Sequence, residues 1–258
     1  MNTIKKASTG SQSIHKAMQV LRILACGQYD GMRLIDIVRM TGLNQPTVHR
    51  TLKALINEGI VDQDLTTRRY LIGEEISILS LARAKKIGLD ATINPYLNEL
   101  ARQTGNTVFL SVRNRLDSIC ISRVTGHHPI QVLSIDIGVR RPLGVGVSGI
   151  ALLSSLTEKE VNSIIEQNKQ RFNVLTEDVN LIKKRILDAR RLGYSYAPQG
   201  LMRGTSSVSM TFNNFSGAAL GAITISTMAP RLEGEQLERT ISLMREQIDL
   251  IAKQHSLD

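Results

Sequence analysis

Gly42 and Gly59 bracket the stretch that most constrains this chain, Leu43 to Ile56 (LNQPTVHRTLKALI). It predicts a helix starting after Asn44 and running to about Glu58, where Gly59 stops it. Asn44 is a good cap for free first-turn N–H groups, and Pro46 is tolerated there because its missing N–H had no partner to lose. Val48, Leu52, Leu55 and Ile56 recur at i, i+4, i+7 and i+8, which makes one buried stripe. Gln45, Thr47, His49, Arg50 and Lys53 are left to face outward. These types suit DNA: Arg and Lys reach guanine O6/N7 or phosphate, Gln pairs with adenine, and a Thr methyl meets a thymine methyl. Any amphipathic surface helix has polar residues outside, so the helix alone does not decide its function.

Its neighbours narrow the choice. Ile14, Ala17, Met18, Leu21, Leu24 and Ala25 predict a helix over 14–25, with Ser11 or Ser13 as its cap. Gln28, Asp30 and Gly31 make a turn. A short helix follows over about 34–41, with Ile35, Ile37 and Val38 as its apolar side and Gly42 as a left-handed stop. After Gly59, residues 60–63 and 69–72 read as two strands joined by the polar loop 64–68. Helix, helix, turn, helix and hairpin in that order make a winged helix-turn-helix over 11–73, behind a polar tail at 1–10. Arg68, Arg69 and Tyr70 at the wing, Arg33 ahead of the second helix, and Asn44 and Pro46 at the third complete the candidate DNA contacts.

The charge agrees. The chain has 32 Lys/Arg against 23 Asp/Glu, net +9. Residues 1–73 hold ten Lys/Arg against five Asp/Glu, so more than half of the excess sits in that stretch, as a phosphate-binding part requires. No apolar run is long enough for a membrane span, and the N-terminus lacks the apolar core of a secretory signal. Cys26 and Cys120 both sit in apolar settings and read as buried thiols of a reducing compartment, so a cytoplasmic protein is expected.

The rest of the chain predicts a second, α+β domain over 89–258, joined by a linker helix over 74–88. Ile76, Leu79, Ala82 and Lys86 fall along one row of it, and Ile76, Leu79 and Ala82 read as part of a dimer seam, with packing within one chain as the alternative. A helix over 89–104 contains Pro95 as a candidate kink. Strands are expected at 108–113, 118–123 and 130–135, helices at 148–156, 158–169 and 179–192, strands at 205–212 and 219–227, and a last helix at 233–254. Arg140 and Arg141 could attract an acidic effector or make a salt bridge, with a structural role favoured, and Lys183, Lys184 and Arg185 read as a solvated face. His127 and His128 lack the partners a metal needs, no phosphate-binding glycine loop of the Walker type is present, and GVGVSG (144–149) lacks nucleophile-elbow spacing. Neither a catalytic set, a metal site nor a cofactor is therefore expected.

Several segments together resemble one family. SIHKAMQVLRIL (13–24), LIDIVRMTGLNQPTVHRTLKALINEGIV (34–61) and RRYLIG (68–73) are similar to the N-terminal domain of IclR-family bacterial regulators. GVRRPL (138–143), VSGIALL (147–153), RRLGY (190–194), Gly204 and LGAITIS (220–226) resemble its C-terminal part, so the likeness spans about residues 11–255. The resemblance implies a GAF-like α/β effector-binding domain and a homodimer, which in this family often forms a dimer of dimers. It also implies a double-stranded DNA operator, usually repressed, and a small carboxylic acid that modulates DNA binding. The family's pocket positions fall on Ile130 and Leu133 on a strand, Val147 and Ser148 at a helix start, and Ala197, Ser207, Thr224 and Ser226. The chain departs from the family pattern in three places. No acidic residue follows Gly193-Tyr194, Ile150 stands where Lys is common, and Thr211 lies near the usual proline. Two other readings use the same parts: a sensor or enzyme whose N-terminal domain contacts proteins, and a non-specific nucleoid-type DNA binder.

Overall fold

In the computed structural model, residues 9–26, 30–81, 89–214 and 217–254 are described. The chain divides into two compact units, 1–87 and 88–258.

The first unit is built from α1 (Thr9–Leu24), α2 (Leu34–Thr41), α3 (Gln45–Asn57), β1 (Val61–Gln63), β2 (Tyr70–Ile72) and α4 (Glu74–Leu81). The apolar spacing read in the sequence becomes one core. Val20 and Leu24 of α1, Ile37 of α2, Val48 and Leu52 of α3, Val61 and Tyr70 meet there. β1 and β2 pair antiparallel, with Val61 opposite Ile72 and Gln63 opposite Tyr70. Gly42 ends α2 at φ 67°, its N–H donating to the Val38 carbonyl. The Thr41 hydroxyl donates to the Ile37 carbonyl at 2.7 Å, and Gln19 Nε2 of α1 donates to the Thr41 carbonyl at 2.8 Å. These bonds fix the turn that launches α3.

One expectation changes here. α1 already includes Thr9, so Ser11 and Ser13 lie inside the helix and do not cap it. Of the supposed dimer row, Ile76 is half-buried and Leu79 is 56% exposed. Ala82 and Lys86 lie outside the described residues, as do residues 1–8 of the expected tail.

The second unit contains α5 (Leu89–Thr104), β3 (Thr107–Asn114), β4 (Asp117–Val124), β5 (Arg140–Pro142), α6 (Gly146–Ser154), α7 (Glu158–Val174), α8 (Val179–Leu192), β6 (Ser195–Ala197), β7 (Thr205–Asn213), β8 (Ala219–Met228) and α9 (Gly234–Gln254). Its sheet runs β5-β4-β3-β8-β7-β6, with every neighbouring pair antiparallel. Side chains alternate across a strand, and this sheet uses its two faces differently. Val108, Leu110, Val208, Met210, Phe212, Ile223 and Ile225 point to one side, where Ile93, Leu97 and Leu100 of α5 and Ile241 and Met244 of α9 bury them. The residues between them on β3, β7 and β8 are Phe109, Ser111, Ser207, Ser209, Thr224 and Ser226, so the opposite face is rich in hydroxyls. α6, α7 and α8 form a second apolar cluster around Ile150, Leu153, Ile164, Phe172, Ile182 and Ile186.

The strand expected at 130–135 is not formed, and the strand beside β4 is β5. The apolar alternation there misleads because Ile130 and Leu133 are 58% and 50% exposed. Gln131 holds the segment instead: its Nε2 donates to the Gly105 and His128 carbonyls, and its Oε1 accepts from Thr107 Oγ1 at 2.8 Å. α5 runs through Pro95. α7 continues past residue 169 to Val174. Among the described residues, no helix is long and apolar enough to cross a membrane, and no group of three metal-ligating side chains comes together.

Candidate DNA-reading face and cavity

α3 presents its polar side to solvent because its apolar side is taken. Val48 and Leu52 are 0% and 1% exposed, which leaves Asn44, Gln45, Pro46, His49, Arg50 and Lys53 exposed on the same helix. Asn44 caps the helix, its Oδ1 accepting from the Thr47 N–H at 3.0 Å. Thr47 is half-buried in a shallow groove beside Ser13 and Ala17 of α1. α3 carries no acidic residue, so Arg50 and Lys53 add to the positive N-terminal end of its dipole. Arg33 precedes α2 and is exposed.

The wing is ordered by Asp64, whose carboxylate accepts from the Thr66 and Thr67 N–H groups at 2.8 and 2.7 Å. Those bonds hold its pKa below the ordinary carboxylate value. Arg68 is exposed at φ 57°. Arg69 is half-buried, and its Nη1 donates to the Gly31 carbonyl at 2.9 Å. Tyr70 corrects the sequence reading. At 6% exposure it is a core residue beneath the wing and does not face a ligand outside.

The second unit holds a partly open cavity of about 180 Å³ between the hydroxyl face of the sheet and the start of α6. Six of the eight expected pocket residues line it: Val147, Ser148, Ala197, Ser207, Thr224 and Ser226. Ile130 and Leu133 do not, because their segment is not a strand and their side chains face solvent. Ser134 and Ile135, just beyond them, do.

The sequence reading missed Phe109, Ser111, Glu177, Arg185 and Ser195, which also border the cavity, and it favoured a structural role for Arg141, which borders it too. Arg141 carries the most chemistry. Its Nη2 donates to the Ser134 carbonyl at 3.2 Å, and among the described residues no carboxylate pairs with it. Burial pulls its pKa below the ordinary guanidinium value. A half-buried cation without an anion is costly and is stabilised by one that enters. α6 adds to this, since its cap residue Val145 offers no side-chain acceptor to the free N–H groups of the first turn. Ile150, one of the departures from the family pattern, forms part of the wall at 1% exposure. Elsewhere in this unit, His128 Nδ1 is bonded within its own turn to Ile130, and Arg140 is exposed near Asn114.

Comparison with known proteins bears on both units. Residues 13–65 match the IclR helix-turn-helix domain, and residues 82–253 match the family described as bacterial transcriptional regulator IclR C-terminal. The HTH-type transcriptional regulator TsaQ1/TsaQ2 of Comamonas testosteroni is 26% identical over 254 residues, covering 95% of this chain and 87% of that protein. The HTH-type transcriptional repressor AllR of Escherichia coli K12 is 26% identical, covering 93% and 89%. Two solved structures share the fold. An IclR transcriptional regulator from Alicyclobacillus acidocaldarius has a TM-score of 0.72 at 22% identity, covering 94% of this chain and 98% of that one. An IclR homolog from Microbacterium hydrocarbonoxydans, complexed with 4-hydroxybenzoate, has a TM-score of 0.70 at 17% identity, covering 93% and 98%.

Proposed function

The chain belongs to the IclR family of bacterial transcriptional regulators and is a DNA-binding regulator of transcription; from that premise we propose that it is a repressor whose grip on its operator is modulated by a small carboxylic acid in the cavity of the second unit. The observation that carries the effector half is Arg141, a half-buried guanidinium with no carboxylate partner among the described residues, on the wall of the cavity. A carboxylate there gains charge-assisted bonds from Arg141 and from the first-turn N–H groups of α6. Ser148, Ser207, Thr224 and Ser226 hold the rest of the molecule, against Val147 and Ala197. A carboxylic acid, 4-hydroxybenzoate, is the compound in the complex of the Microbacterium homolog, which supports the class. Repression is supported by the name of the AllR relatives.

On the DNA side, α3 enters the major groove and reads it with Gln45, His49, Arg50 and Lys53. Asn44, Pro46 and Thr47 lie near the backbone at the helix start, with Arg33 and Arg68 on phosphate. Arg69 acts by bracing the wing on Gly31. The DNA-binding domain is assigned to 11–73, the linker to 74–88 and the effector domain to 89–258, in a cytoplasmic homodimer that can pair into a dimer of dimers. Two copies of α3 then favour a pseudo-palindromic site. Gel-shift titration of the intact protein against DNA upstream of its own coding region tests this, with and without candidate acids. Release of DNA by an acid supports the proposal. An operator affinity unmoved by every acid class contradicts the effector half of the proposal.

A further inference from the structure

We propose that the acid this cavity takes is an aliphatic hydroxycarboxylate, a short chain with several hydroxyl groups, in preference to an aromatic or plain fatty acid. The inference rests on the effector reading above and narrows its ligand class.

The hydroxyl inventory of the wall carries it. Ser111, Ser148 and Ser195 are 3%, 6% and 5% exposed, border the cavity, and have no side-chain hydrogen-bond partner among the described residues. Each is a donor and acceptor open to a molecule bound in the cavity. Thr224 is different. Its Oγ1 donates to Ser209 Oγ at 2.9 Å, and Ser209 in turn donates to the Ile223 carbonyl at 3.1 Å. The Thr224 proton is therefore committed, and its oxygen offers lone pairs alone. Ser207 and Ser226 lie 2.7 Å apart, so one of their two protons is spent between them. Glu177 adds a carboxylate to the lining.

The sheet side of the cavity thus asks for hydrogen-bond donors as well as acceptors. A carboxylate offers acceptors alone and matches Arg141 and Arg185 on the same wall. Ligand hydroxyls both donate and accept, and match Thr224, Glu177 and the three unpartnered serines. An aromatic ring finds less. Phe109 and Tyr196 both border the cavity, and the Tyr196 hydroxyl is already committed to the Leu232 carbonyl at 2.8 Å, but a ring laid against them brings no hydrogen-bonding groups to the three serines. A fatty acid would strand buried hydroxyls without partners, the situation that gives polar sites their sharpest discrimination.

The test is isothermal titration of the intact protein with matched probes: threonate, xylonate and gluconate; butyrate, valerate and hexanoate; benzoate; and the neutral polyols erythritol, xylitol and glucitol. At least one hydroxy acid is expected to bind about tenfold or more tightly than its deoxy counterpart, benzoate and its polyol, the worth of one or two satisfied hydroxyls. Thr224→Val and Ser148→Ala should each erase most of that gap while leaving hexanoate no weaker. Tighter binding of benzoate or the fatty acids overturns the hydroxyl inference and leaves the carboxylate reading standing. Polyols binding as well as their acids overturn the carboxylate reading, and silence from every probe overturns both.

Discussion

Arg141 donates from Nη2 to the Ser134 carbonyl at 3.2 Å, and through that bond the cation is tied to a segment that also lines the cavity. A structural arginine and a ligand-holding arginine respond oppositely to replacement. Because Arg141 is desolvated without an ion-pair partner, Arg141→Met should leave the melting temperature unchanged or raise it. The same change should weaken acid binding by about 1.5–3 kcal/mol, the worth of a charge-assisted hydrogen bond. Thermal denaturation and acid titration of the one variant check both halves. A large loss of stability with unchanged acid affinity would make Arg141 a structural residue.

Arg50 and Lys53 are exposed on α3, whereas Leu52 between them is 1% exposed. Arg50→Ala and Lys53→Ala should change stability by no more than about 0.5 kcal/mol. Each should weaken operator binding. If the lost contact is to phosphate, the slope of log affinity against log salt falls by about 0.9; if it is to a base edge, discrimination at one position falls by about 1–3 kcal/mol. Leu52→Ala should instead cost about 2–5 kcal/mol of folding stability. Chemical denaturation and DNA anisotropy at several salt concentrations separate the three variants.

Tyr70 belongs to the core of the first unit, so Tyr70→Phe should leave DNA affinity unchanged, while Tyr70→Ala should destabilise by about 3 kcal/mol. A loss of DNA binding in the folded Phe variant would return the Tyr70 hydroxyl to the interface.

Burial pushes the Cys120 thiol up to about 11. A raised thiol pKa favours the neutral form in the folded state, so this contribution is intact below the ordinary value of 9.0 and is lost as pH rises toward about 11. At mildly alkaline pH, Cys120 should resist Ellman's reagent in the folded protein and react after denaturation, whereas half-exposed Cys26 should react more readily. Rapid labelling of Cys120 in the folded protein would contradict its burial.

The helix-turn-helix was readable because its signals are local. Asn44, Pro46, the Val48–Leu52 spacing and Gly42 each act within one or two turns, and α2 and α3 formed where they pointed. Tyr70 was misread because its neighbours Arg68 and Arg69 are basic, although strand alternation turns Tyr70 and Leu71 to opposite sides. The segment around Ile130 was misread because apolar alternation cannot register that Gln131 is claimed by Gly105, His128 and Thr107. The cavity was half legible. Ser207, Thr224 and Ser226 came from the family resemblance, and register confirms that β7 and β8 bring Ser207 and Ser226 opposite each other. Ser111 and Arg185 depend on how β3 and α8 are laid against those strands, which no local pattern encodes. Arg185 in particular sits beside Lys183 and Lys184 in sequence yet borders the cavity.

The most direct test of the account is fluorescence anisotropy of a labelled duplex from the region upstream of the coding sequence, titrated with the intact protein, beside a scrambled duplex. The experiment is repeated with the tightest-binding acid present. The account predicts a preference for the operator of at least about 10³, a steep fall in affinity with salt, and operator binding weakened by about 5–150-fold by the acid in the wild type but not in Arg141→Met. Equal affinity for both duplexes, or an acid effect that survives loss of Arg141, would contradict it.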